Sequence, residues 1–97
     1  MPAYVVLEIE VTDPVLYEEY KKLAPAAVAQ YGGKYLARGG KTVSMEGGWN
    51  PARLVILEFE SLERARQWYD SPEYAGPRKM REQATRSKTV MIEGVTK

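Results

Sequence analysis

The sequence predicts an α+β fold, with four strands in one antiparallel sheet and every helix on one face of it. Three observations predict it. Residues 53–60, Arg-Leu-Val-Ile-Leu-Glu-Phe-Glu, are β-branched and aliphatic, free of Gly and Pro, and follow the breaker run Gly47-Gly48-Trp49-Asn50-Pro51. Val55, Leu57 and Phe59 share one face of this strand, while Leu54, Ile56 and Glu58 share the other. Both faces are largely apolar, which places the strand in the middle of a sheet. The second observation is an equally apolar strand at residues 3–11. The third is a set of helix-start signals, Asp13-Pro14, Ser61 and Ser71-Pro72, which separate the strands into the order βαββαβ.

Taken in order, residues 3–11 put Ala3, Val5, Leu7, Ile9 and Val11 on one face and Tyr4, Val6, Glu8 and Glu10 on the other. Thr12-Asp13-Pro14 then supplies a capping side chain and a first-turn proline. Leu16, Tyr20, Leu23, Ala24, Ala27, Val28 and Tyr31 recur at helical spacing, Pro25 predicts a kink, and Gly32-Gly33 ends the helix. Residues 34–38 read as a short strand, interrupted at Gly39-Gly40 and resumed over 41–46. After the central strand, Ser61 caps a helix through Ala65, Trp68 and Tyr69. Ser71-Pro72 starts another, disturbed at Gly76-Pro77 and reaching about Thr85. Residues 87–95 form the last strand. Two right-handed crossovers bring the first and third strands to the centre, a ferredoxin-like arrangement.

Composition excludes several function classes. A chain of 97 residues with 44% apolar and 28% charged residues reads as one globular domain over 1–97. A net charge of +1 gives no overall field toward nucleic acid or an anionic membrane, and no apolar run approaches the roughly 20 residues that span a bilayer. The first residues lack the basic start and cleavage site of a signal peptide, and there is no cysteine, so a cytoplasmic location is expected. The absence of histidine removes histidine-bound zinc, histidine-ligated haem and every imidazole triad. No phosphate loop, dinucleotide fingerprint or nucleophile elbow occurs, so no cofactor and no metal are expected.

With the helices on one face, the other is expected to hold Tyr4, Val6, Leu54, Ile56 and Met91. That is more contiguous apolar surface than monomers usually expose, and a second copy packing sheet against sheet would bury it; the alternative is a monomer whose second face is partly covered by its own Trp49 loop.

Together, Pro2-Ala3-Tyr4, residues 8–14 (Glu-Ile-Glu-Val-Thr-Asp-Pro), residues 31–40 (Tyr-Gly-Gly-Lys-Tyr-Leu-Ala-Arg-Gly-Gly), Leu57-Glu58-Phe59, residues 68–74 (Trp-Tyr-Asp-Ser-Pro-Glu-Tyr) and Glu93-Gly94 resemble the family catalogued as domain of unknown function 1330 (DUF1330). That family is a branch of the dimeric α/β-barrel superfamily. The resemblance spans essentially the whole chain. It implies the ferredoxin-like fold and a dimer formed by sheet packing, and it implies no particular reaction.

By alternation, Glu8, Glu58 and Glu93 face the expected dimer side among apolar neighbours, where carboxylates close together cannot all ionise cheaply. Arg38 is expected to join them if its strand presents Lys34, Leu36 and Arg38 to that side and turns Tyr35 and Ala37 to the helices. One reading makes Glu8 or Glu58 a catalytic acid or base while Arg38 clamps a substrate carboxylate or enolate. The other is an ion-pair network that fixes dimer register. Ser71 and Tyr74, at a helix start, offer amide donors and a hydroxyl to an anion, or else a plain cap and a core ring. Trp49 is either a lid over a substrate or an arm on the partner. Arg78, Lys79, Arg81, Arg86 and Lys88 read as a solvated face. Two functions stay open: a cofactor-independent enzyme acting on a small carbonyl or aromatic acid in a sheet–helix cleft, and a non-catalytic small-molecule-binding or dimerisation module.

Overall fold

A computed structural model describes residues 1–95. The elements follow the predicted order: β1 (Ala3–Val11), α1 (Pro14–Gln30), β2 (Lys34–Arg38), β3 (Leu54–Phe59), α2 (Leu62–Tyr69), α3 (Pro72–Ala84) and β4 (Thr85–Glu93). They form one sheet in the order β2-β3-β1-β4, with each neighbouring pair antiparallel. The two most apolar strands are therefore central, and the fold is ferredoxin-like.

The capping chemistry works as read. The Asp13 carboxylate accepts from the Leu16 amide at 3.1 Å, Ser61 Oγ accepts from the Arg64 amide at 3.0 Å, and Ser71 Oγ accepts from the Tyr74 amide at 3.1 Å. Pro14 and Pro72 follow two of these caps at the first helical turn, where no amide donor is needed. Gly32 closes α1 with φ of 76°, the left-handed conformation that glycine adopts freely. The Thr12 and Asp13 amides bond the Ala84 carbonyl at 2.7 and 2.9 Å and tie the end of α3 to the start of α1.

Four expectations need correction. Residues 41–46 do not resume β2; they belong to an exposed arm between β2 and β3. Gly76-Pro77 does not interrupt α3, which runs from Pro72 to Ala84. The last strand begins at Thr85, directly after the helix. Its phase is also opposite to the one expected: Val90 pairs with Val6 and Ile92 with Tyr4, whereas Met91 pairs with Val5 and packs on the core. Glu93, opposite Ala3, therefore leaves the group that contains Glu8 and Glu58.

The core lies between sheet and helices. Val5, Leu7, Ile9, Val55, Leu57 and Phe59 meet Tyr17, Tyr20, Ala24, Ala27 and Val28 of α1 and Ala65, Trp68, Tyr74 and Ala84 of α2 and α3. Trp68 stands at its centre, with its ring 4.3 Å from Tyr74 and 5.2 Å from Phe59. The molecule is only 16 Å thick, as two layers require, so no further layer covers the sheet's second face and only the Trp49 arm reaches it. Tyr4, Val6, Leu54 and Ile56 are half-buried there, while Val90 and Ile92 are 60% and 58% exposed.

Candidate functional site

A small cleft opens between the sheet and α1 near the exposed end of β2. Its walls are Leu7, Ile9, Val55 and Leu57 from the sheet, with the rings of Tyr17, Tyr20, Tyr35 and Trp68 around them. Lys21, Arg38 and Arg53 complete the lining. Every charged residue in it is a cation. The enclosed volume is about 20 Å³, so any ligand larger than a water molecule enters only as the lining side chains move apart.

Arg38 reaches this cleft through an irregularity in β2. Lys34 pairs with Glu58 and Tyr35 with Leu57, but the next pair is Ala37 with Ile56, followed by Arg38 with Val55. Leu36 is the extra residue of a bulge, and each bulge flips the phase of the residues after it. The expected alternation therefore fails after Tyr35: Ala37 goes to the open face and Arg38 to the helix side. There the Arg38 guanidinium stacks 4.7 Å above the Tyr35 ring and donates to the Lys21 carbonyl at 2.9 Å, bridging β2 to α1 across the cleft mouth. Burial, opposed by the Arg38 charge, raises the Tyr35 phenol and keeps it a donor at neutral pH.

Arg53 precedes Leu54 on the same side as Val55 and extends the β3 ladder, its carbonyl accepting from the Ile9 amide at 2.9 Å. Its guanidinium lies 5.5 Å from the Tyr17 ring and packs on Gly39, where φ is +71° and a Cβ would collide with that guanidinium. Arg53 Nε and Trp68 Nε1 are both buried donors without a hydrogen-bond partner among the described residues. Such groups are uncommon and ask for an explanation.

The remaining predicted residues lie elsewhere. Glu8, between Leu54 and Lys88 on the open face, accepts from Trp49 Nε1 at 3.0 Å. Glu58 is opposite Tyr4 on the same face, four residues further along β1 and so roughly 13 Å away. The sheet separates both from Arg38, so the expected trio of Glu8, Glu58 and Arg38 does not assemble. Trp49, 58% exposed, lies on the open face and not over the cleft. Ser71 Oγ is occupied as a cap and donates to the Trp68 carbonyl at 2.8 Å. Tyr74 is fully buried, and its hydroxyl meets the Tyr20 hydroxyl at 2.8 Å, away from the helix start. Arg81, read as part of a solvated face, is 3% exposed.

Sequence reasoning passed over Tyr17, Arg53, Trp68 and Arg81 as site residues. Two of them carried a signal. Arg53 stands two residues before Val55, on the same strand face, and Arg81 stands seven after Tyr74, two helical turns along one stripe.

Several solved structures share this fold. A protein of unknown function from Rhodopseudomonas palustris matches with a TM-score of 0.77 at 16% identity, over 99% of this chain and 84% of that one. SnoaB, a cofactor-independent oxygenase from Streptomyces nogalater, matches with a TM-score of 0.70 at 13% identity, over 99% and 95%. A dimeric protein of unknown function and ferredoxin-like fold from Bacteroides fragilis matches with a TM-score of 0.64 at 15% identity, over 96% of each chain. At these identities the likeness is one of fold. No curated protein matches the chain. Residues 2–95, nearly the entire chain, match the family described as domain of unknown function DUF1330, and the protein belongs to that family.

Proposed function

We propose that the sheet–helix cleft binds a small aromatic or enolic anion and that the protein acts on it as a cofactor-independent enzyme, by holding negative charge on oxygen. One observation carries this reading: four aromatic rings and three cations line the cleft, with two buried donors, Arg53 Nε and Trp68 Nε1, left without partners. Rings of this kind take a planar ligand, and unpaired donors in a dry site favour an anionic acceptor. Arg38 and Arg53 hold the anion in this proposal. The lining contains no carboxylate, and Glu8 and Glu58 are on the far side of the sheet. The chemistry is therefore electrostatic stabilisation of an oxyanion, suited to substrates that ionise readily. Entry requires the lining rings to move apart and the Arg38–Lys21 bridge to open; the bridge alone exchanges one exposed hydrogen bond for water and costs about 1 kcal/mol.

Phenylpyruvate, an aromatic acid with an enolisable carbonyl, tests this. It should quench Trp68 fluorescence on binding, and Arg53→Ala should weaken that binding roughly tenfold or more, the effect of removing a charged hydrogen-bond donor. Accelerated deuterium exchange at its benzylic carbon would identify an enzyme; binding without exchange would leave a binding module. Equal response to a cationic analogue, phenethylamine, would sink the proposal.

A second reading, compatible with the first, rests on the open face. Tyr4, Val6, Leu54, Ile56, Val90 and Ile92 form one apolar surface, and the dimeric neighbour of like fold supports a homodimer through it. In that assembly Glu8, Glu58 and the Trp49 arm belong to the interface, where their polarity fixes register.

A further inference from the structure

Behind the cleft lies a cation with no counter-ion. Arg81 is 3% exposed, and among the described residues no acidic side chain pairs with it. Its Nη1 donates to Ser87 Oγ at 2.9 Å and Thr89 Oγ1 at 3.3 Å, both neutral, and its Nε has no partner. Thr85 Oγ1 donates to the Arg81 carbonyl at 2.6 Å and shares a hydrogen bond of 2.9 Å with Ser87 Oγ, which completes a neutral shell. Burying a guanidinium without an anion is expensive, and an apolar side chain of similar volume would avoid the expense. The charge is therefore retained for something it faces. Arg81 stands seven residues after the buried Tyr74 on one stripe of α3, and its charge opposes the burial that raises the Tyr74 and Tyr20 phenols, which share a hydrogen bond of 2.8 Å. Tyr20 in turn lines the cleft.

We propose that Arg81 is a positioning residue of the cleft: with its charge behind them, Tyr74 donates to Tyr20, and Tyr20 donates to the oxyanion of the bound ligand. The relay turns a phenol into a strong donor without placing the cation in the cleft itself, because each hydrogen bond polarises the next. Burial raises both phenols, with the Arg81 charge opposing it at each, so both keep their protons at neutral pH and serve as donors, not bases. This inference rests on the cleft reading above and adds to it a third donor and the charge behind it.

The test uses 4-nitrophenol, whose ionised and neutral forms differ in colour, with 4-nitroanisole as a ligand of the same shape that cannot ionise. Quenching of Trp68 fluorescence by 4-nitroanisole reports occupancy of the cleft. In the wild type, bound 4-nitrophenol should ionise at lower pH than the free compound. In Tyr20→Phe and in Arg81→Met, ionisation of the bound probe should return toward the free value by about one unit, a tenfold loss of preference for the anion. Affinity for 4-nitroanisole, which forms no anion, should fall by much less than affinity for 4-nitrophenolate. Arg81→Lys, which keeps the charge, should restore part of the effect; a purely structural arginine would leave bound-probe ionisation the same in all three. Should Arg81→Met fail to fold, Tyr20→Phe, which preserves the ring, decides alone. Unchanged ionisation in Tyr20→Phe with occupancy intact overturns the relay and spares the cleft. Failure of both compounds to bind the wild type overturns the relay and the cleft reading together.

Discussion

Gly39 and Arg53 show how one residue can set the position of another. Gly39 holds φ at +71°, and its missing Cβ is where the Arg53 guanidinium lies. Gly39→Ala is expected to destabilise the fold by about 1 kcal/mol through the left-handed backbone alone. It should also push Arg53 from the cleft and weaken phenylpyruvate binding beyond what the stability loss explains; unchanged affinity would argue that Arg53 does not hold the ligand. Tyr20 and Tyr74 give a pH prediction. Both phenols are raised above the ordinary value of 10.0, chiefly by burial. The folded state therefore holds their protons more tightly than the unfolded chain does. The stability this contributes is complete below pH 10 and is lost as pH climbs above it. Melting temperatures measured between pH 9 and 11 should fall less steeply for the Tyr20→Phe/Tyr74→Phe double variant than for the wild type. Equal slopes would show that neither phenol titrates with unfolding. At this scale the sequence was only partly legible. Tyr74 and Arg81 share a helical stripe and could be read as neighbours, but whether Arg81 snorkels to water or stays inside depends on what packs over it, and spacing does not encode that.

Among the elements, helix starts were the most legible, because a cap is local chemistry. Asp13, Ser61 and Ser71 each bond an amide three residues on. Ser71 is the most buried of these and also bonds the Trp68 carbonyl, so it links α2 to α3. Ser71→Ala should cost about 1–2 kcal/mol in urea unfolding, the upper part of the range for caps, whereas Asp13→Ala, at an exposed cap, should cost less. Identical losses would mean the second Ser71 bond contributes nothing. Strands were less legible, since they depend on partners far along the chain. Thr42, Val43, Ser44 and Met45 alternate like a strand, yet among the described residues no edge pairs with them. In β4, Thr89 and Met91 fit a buried face as well as Val90 and Ile92 do. Only the pairing with β1 decides between them.

For the whole molecule, the question is what covers the sheet. The order of strands and the side taken by the helices followed from the βαββαβ order, and the bare second face followed from those two. If that face pairs with its copy, native mass spectrometry should find a species of about 22 kDa, twice the 11.0 kDa chain. Val90 and Ile92 are exposed in the single chain and carry little of its core, so Val90→Lys with Ile92→Lys should leave the fold intact and give a monomer. A wild type that stays at 11.0 kDa at micromolar concentration would remove the sheet-packing dimer. A double variant that stays dimeric would move the contact elsewhere. The cleft was the least legible feature at this scale, because its residues come from β1, α1, β2, β3 and α2, and its charge depends on which way β2 turns.

That turn rests on Leu36. Were Leu36 paired in the ladder and not bulged out, Ala37 would stand opposite Val55, and the arginine after it would fall opposite Leu54 and point at the opposite side of the sheet. Bulged out or paired, this one residue thus decides whether the proposed ligand anchor stays with the cleft or passes to the open face. A slip of one position in the pairing of β2 would therefore trade recognition for assembly with every side chain kept. Comparing relatives for the presence of this bulge should therefore be more informative about their divergence than comparing substitutions.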